Sequence, residues 1–176
     1  MTGKKKLKYQ VALEEFLAAR EWTDELEIDM EEKKVQLATG ISIGDQSGNR
    51  LFVEGYDETD FVDVFIYYGI KCKEAKLGEM SSLLNEIHRR WLFGRFVCLD
   101  DGTLRWSQRV DFEGSSPTGT SIERMVSSGW ESAERFLDFI AAVALTKQSA
   151  KDAIAEYDEA RRAKAAEAEG DGPAAL

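Results

Sequence analysis

With 176 residues, 43% of them hydrophobic, the chain can fold as one domain with a real core plus an appendage. A formal net charge of −10 repels nucleic acid phosphates and anionic membranes, so neither is an expected partner. Two cysteines make no disulfide framework, no run nears the roughly 18 apolar residues of a membrane span, and no apolar stretch follows the first lysines; a cytoplasmic protein with reduced thiols is expected.

Residues 1–8, with Lys4, Lys5, Lys6 and Lys8, read as a basic N-terminal tail. The spacing of Tyr9, Leu13, Phe16 and Leu17 predicts a helix over 7–22, ended by Thr23 and Asp24. Residues 25–29 alternate, with Leu26, Ile28 and Met30 expected on a buried face. After a turn at 31–33, a second strand over 34–43 turns Val35, Leu37, Ile41 and Ile43 inward. Residues 44–49 read as a loop by composition. Strands over 50–56 and 61–70 form a hairpin through 57–60. Residues 61–68 are apolar on both sides, which predicts a central strand covered on both faces. Asp63 is its polar exception, and an outward position or a bulge is favoured over a functional buried carboxylate.

Leu77, Met80, Leu84, Ile87 and Trp91 recur at steps of three and four, predicting an amphipathic helix over 74–91 that packs on the sheet or on a second copy. Residues 93–99 and 104–112 form a hairpin around Asp100, Asp101 and Gly102. In its second strand Leu104, Trp106, Gln108 and Val110 alternate with Arg105, Ser107, Arg109 and Asp111. A capping box at 120–123 opens a long helix whose apolar face includes Ile122, Met125, Phe136 and Ile140. Residues 147–169 form a charged, Ala-rich helical extension that continues this helix outward or frays, and 170–176 are expected to be disordered.

No catalytic, metal-ligating or cofactor-binding residue emerges, and a non-enzyme is expected. His88 is the single histidine, so no second imidazole can join it at a metal, and Glu86 cannot orient it from two positions away on a helix. Lys71 and Lys73 flank Cys72, but a small apolar filler is the expected role for both Cys72 and Cys98. The glycines at 40, 44 and 48 match neither phosphate-loop pattern. Asp57, Asp60, Asp100 and Asp101 are turn residues. The aromatic residues Trp91, Phe93, Phe96 and Trp106 gather where the second helix meets the hairpin; core is the favoured place for each, and an exposed one would mark an interface rimmed by Arg105 and Arg109. The candidate partner-binding set is therefore Trp91, Phe93, Trp106, Arg105 and Arg109.

The order helix, four strands, helix, hairpin, long helix is joined by short motifs. They are LLNEI at 83–87, GRF at 94–96, DDGTLRW at 100–106 and DFEG at 111–114. Together these resemble the YbjN family over residues 11–143, within a domain spanning 9–146. The resemblance implies an α+β fold, an antiparallel sheet with helices packed mainly on one face in the order α-β-β-β-β-α-β-β-α, similar to type III secretion chaperones. It further implies a chaperone-like protein that binds a polypeptide partner without catalysis, as a homodimer, in a family labelled a bacterial sensory transduction regulator. It supplies no catalytic residues. A small-ligand sensor with a pocket between sheet and helices is the alternative.

Overall fold

A computed structural model describes residues 6–170. Residues 1–5 of the basic tail and 171–176 of the C-terminal end lie outside them. The elements run α1 (Lys8–Ala19), β1 (Glu27–Asp29), β2 (Lys34–Ile43), β3 (Gln46–Tyr56), β4 (Phe61–Lys71), α2 (Leu77–Arg90), β5 (Arg95–Cys98), β6 (Thr103–Asp111), α3 (Gly119–Leu145) and α4 (Ala150–Gly170). The strands form one antiparallel sheet in the order β1-β2-β3-β4-β6-β5. This is the expected α+β order with one helix added at the end.

Period-two alternation sets the core. Val35, Leu37, Leu51, Val53, Val62, Val64, Ile66, Leu104 and Trp106 all point to one face and are buried. Helices α1, α2 and α3 cover that face with Tyr9, Leu13, Phe16, Met80, Leu83, Ile87, Val126 and Phe136. Close approach needs small residues: a Cβ on Gly55 would overlap the Tyr9 side chain, and one on Gly129 would press into Ile66 and Trp106.

Five local expectations are corrected. First, β1 is only three residues long and wholly exposed, with Ile28 at 39% and the following Met30 at 55% exposure. It is an edge strand held by β2 alone, beyond the helix layer. Second, the expected loop at 44–49 is a tight turn at Gly44 and Asp45, and β3 resumes at Gln46. Buried Asn49 holds it, donating to the Gln46 carbonyl at 3.0 Å and accepting from the Gly69 N–H at 3.2 Å. Third, β4 is central but covered on one face; Phe61, Phe65 and Tyr67 are half-buried on the other. Fourth, α3 is capped two residues earlier than the motif at 120–123 implies. The Thr118 Oγ1 accepts from the Ser121 N–H at 3.2 Å, and the Ser121 Oγ accepts from the Thr118 N–H at 2.8 Å. Glu123 instead takes a two-pronged bond from Arg20, 2.7 Å on each arm.

The fifth correction concerns the C-terminal extension. Thr146 adopts an extended backbone that ends α3, Ser149 accepts from the Asp152 N–H at 3.1 Å, and α4 turns back along α2 and α3. Ala153 and Tyr157 are buried there, with the Tyr157 ring 5.0 Å from Phe136 and 5.6 Å from Phe139. Arg90 clasps Asp158 through two bonds of 3.0 and 2.9 Å. Tyr157→Ala empties this seat and is expected to cost about 3 kcal/mol in urea unfolding; a frayed appendage would lose nothing measurable.

Candidate functional site

The same alternation that fills the core leaves the opposite sheet face without a helix among the described residues. Register assembles its side chains into two unlike halves. In the half nearer the β3–β4 turn, charges are closed among themselves. Glu54 accepts from Lys34 at 3.1 Å and from the Tyr56 hydroxyl at 2.6 Å. Asp63 is buried and accepts both arms of Arg109, at 2.7 and 2.6 Å. Asp63 thus points outward as expected, and its partner lies 46 residues on. The Asp63 carboxylate holds the Arg109 guanidinium above its usual range, chiefly through these bonds.

The other half is aromatic and cationic. Half-buried Phe52, Phe65 and Tyr67 form its floor, with Phe52 and Tyr67 edge-on at 5.5 Å. Arg105 lies 4.9 Å over Phe65 and 5.8 Å over Tyr67, and donates to the Tyr67 hydroxyl at 3.1 Å. Arg50 sits 5.3 Å over Phe52. Gln36, Arg50, Phe52, Glu54, Phe65 and Tyr67 bound a depression of about 520 Å³.

The five candidate residues are not one patch. Trp106 is fully buried, because the alternation of β6 turns it inward against Gly94 and Gly129, with its Nε1 donating to the Phe93 carbonyl at 3.3 Å. It belongs to the core and not to a docking surface. Trp91 is half-buried, edge-on to Phe93 at 5.6 Å, with its Nε1 donating to the Ser132 Oγ at 2.7 Å and Arg135 stacked at 4.3 Å. Phe93 is 57% exposed beside Leu92 at 88%, a small apolar corner between α2 and β5. Arg105 and Arg109 face outward from the sheet, on the side away from the helices. Phe52, Phe65, Tyr67, Arg50 and Arg95 complete the open face. The alternation in 50–56 and 61–67 is the sequence signal for the four on β3 and β4, and hydrophobicity on both sides of β4 masks it.

His88 has a structural role. Its Nε2 accepts from the Phe96 N–H at 3.1 Å, closing an outward backbone donor on edge strand β5. Burial first, then the charge of Arg95, pushes the imidazole below its ordinary value. A base depressed in the folded state stabilises fully above its unfolded value, about 6.5, and loses that contribution as pH falls through the folded value. Between about pH 7.5 and about pH 5.5 the wild-type melting temperature is expected to fall more than that of His88→Gln, which keeps an acceptor but does not titrate. Parallel pH profiles would contradict this role.

Burial pushes both thiols up, Cys98 to about 11, which leaves Cys72 and Cys98 protonated at neutral pH in spite of the flanking lysines. Among the described residues, no group of three or more His, Cys, Asp or Glu is placed to hold a metal. No described helix is long and apolar enough to cross a membrane.

Among solved structures, a chain of the ExsC–ExsE complex is 14% identical, covers 80% of this chain and 98% of its own, and superposes with a TM-score of 0.51. It shares the fold. A chain of the HopA1–SchA chaperone–effector complex is 12% identical, with 77% and 96% covered and a TM-score of 0.47. YbjN from E. coli is 12% identical, with 76% and 86% covered and a TM-score of 0.44. No curated protein matches the sequence. The profile of the YbjN family, described as "Putative bacterial sensory transduction regulator", matches residues 10–142. That stretch runs from within α1 to near the end of α3 and takes in the whole sheet, leaving α4 as an addition: the chain belongs to the YbjN family.

Proposed function

We propose that this protein is a non-enzymatic, polypeptide-binding regulator or chaperone-like protein of the cytoplasm, and that it works as a homodimer. The observation that carries the reading is the open sheet face, where Phe52, Phe65 and Tyr67 stay half-exposed although a helix layer buries their inward neighbours Leu51, Val53, Val64 and Ile66. The neighbour that shares the fold was solved as a complex of two proteins, ExsC with ExsE, and the family description is that of a regulator. Both fit a molecule that acts by holding another. Trp106, Ile66, Leu104 and Phe136 fill the space between sheet and helices, which favours docking on the outside over ligand capture inside. Of the two sheet edges, β1 offers three exposed residues, whereas His88 occupies the Phe96 N–H on β5; face docking is therefore favoured over strand addition at β5.

Immobilised protein is expected to retain a defined polypeptide from a cell extract, and Phe65→Ser is expected to release it. Retention unchanged by Phe65→Ser, or a thermal shift with a metabolite and none with any polypeptide, would contradict the reading. The homodimer is assigned to the Leu92–Phe93 corner. Light scattering is expected to give twice the 19.8 kDa of one chain, falling to the single-chain mass in a Leu92→Ser, Phe93→Ser variant.

A further inference from the structure

We infer that the polypeptide segment received by the open face is acidic, carries apolar side chains between its carboxylates, and is held by Arg50, Arg95 and Arg105; this rests on the polypeptide-binding reading above. Among the described residues Arg20, Arg89, Arg90 and Arg109 pair with carboxylates, whereas Arg50, Arg95, Arg105, Arg124, Arg135, Arg161 and Arg162 form no salt bridge. The last four lie on α3 and α4; the other three share the open sheet face. Register places Arg50, Tyr67 and Arg105 in one row across β3, β4 and β6, and Arg95 on β5 beside Ser107 in the adjoining row. Three unpaired cations on one half of one face, in a chain of net charge −10, make a local site of opposite sign to the molecule.

Geometry prepares these groups for carboxylates. Arg50 and Arg105 lie on aromatic rings, which orders the guanidinium planes and leaves donor edges free for two-pronged bonds. The Arg105 Nε finds no acceptor among the described residues, a donor left unsatisfied until the side chain turns toward a partner's carboxylate. The Phe52, Phe65 and Tyr67 floor between the cations takes an apolar side chain from the same segment. A nucleic acid strand would meet the cations equally well, but its continuous phosphates would also run against Glu54 and Asp63 and the acidic body. Discrete carboxylates on a peptide avoid that.

The test is fluorescence anisotropy on the full chain with three labelled probes: a synthetic peptide repeating Glu-Leu-Glu-Tyr, its Lys-for-Glu counterpart, and an oligothymidylate. The acidic peptide is expected to bind at least about tenfold more tightly than either other probe, and to weaken several-fold between about 50 and about 500 mM salt. An Arg50→Gln, Arg95→Gln double variant removes two exposed side chains that form no salt bridge, so its melting should match the wild type; it is expected to weaken the acidic peptide about tenfold or more. Arg105→Gln is expected to do the same. Equal binding of both peptides, an affinity unchanged in both arginine variants, or a preference for the oligothymidylate would overturn the inference. So would self-association that the arginine variants abolish, which would make a second copy the occupant. If the acidic peptide fails while a polypeptide retained from extract still depends on Phe65, the acidic chemistry falls and the polypeptide-binding reading stands.

Discussion

Trp106→Ala is expected to destabilise the protein by about 3–5 kcal/mol, enough to remove most of the stability of an ordinary domain. Trp106 is fully buried on β6, pairs with Ile66 on β4 and Phe96 on β5, and is met by Gly94 from one side and Gly129 of α3 from another. A Cβ on Gly94 would overlap the indole and one on Gly129 would press against it, so both backbones are fitted to this ring. Alanine leaves a cavity that those backbones cannot close. Urea unfolding should show a lower midpoint with an unchanged slope. Trp106→Phe loses chiefly the Nε1 bond to the Phe93 carbonyl and part of the ring volume, and is expected to cost less. A loss below about 1 kcal/mol in the alanine variant would mean that the indole is not the keystone of the helix–sheet interface.

Gly102→Ala is expected to cost about 2–5 kcal/mol, because two penalties combine. Gly102 has φ +83°, a left-handed conformation in the turn between β5 and β6. A Cβ there would also run into the Cys72 carbonyl oxygen, and backbone cannot step aside as a side chain can. The Cys72 N–H already donates to the Gly102 carbonyl at 2.8 Å, which ties the end of β4 to this turn. The variant should melt well below the wild type. Gly114→Ala shares a positive φ of 73° but meets nothing within 4 Å, so it isolates the conformational share and should cost less. Equal losses at the two positions would contradict the packing account.

Much of the fold is legible because local periodicity carries it. The three-and-four steps of Met80, Leu84 and Ile87 place α2, and the alternation of Leu104, Trp106 and Arg105 places β6 with its faces the right way round. Asp100-Asp101-Gly102 marks the hairpin for a reason seen in the backbone, the positive φ at Gly102. What escapes the sequence is set by partners far along the chain. Arg109 reaches Asp63 over 46 residues, Arg20 reaches Glu123 over 103, and nothing local marks either pair. The docking of α4 rests on a few small residues and Tyr157, too thin a stripe to distinguish a seated helix from a solvated one. The open face is concealed most completely. Phe65 and Tyr67 are as apolar as their inward neighbours Val64 and Ile66, so composition suggests cover on both sides. Only register, which lines Tyr67 up with Arg50 and Arg105, shows that these aromatics floor a cationic surface.

Hydroxyl-radical footprinting of the protein with and without the polypeptide it retains tests the central claim most directly, since it reads side-chain exposure residue by residue. Phe52, Phe65 and Tyr67 are expected to lose reactivity in the complex, while Tyr157, seated between α3 and α4, stays unchanged. Protection confined to the helix layer, with the three sheet-face aromatics as reactive as in the free protein, would contradict it.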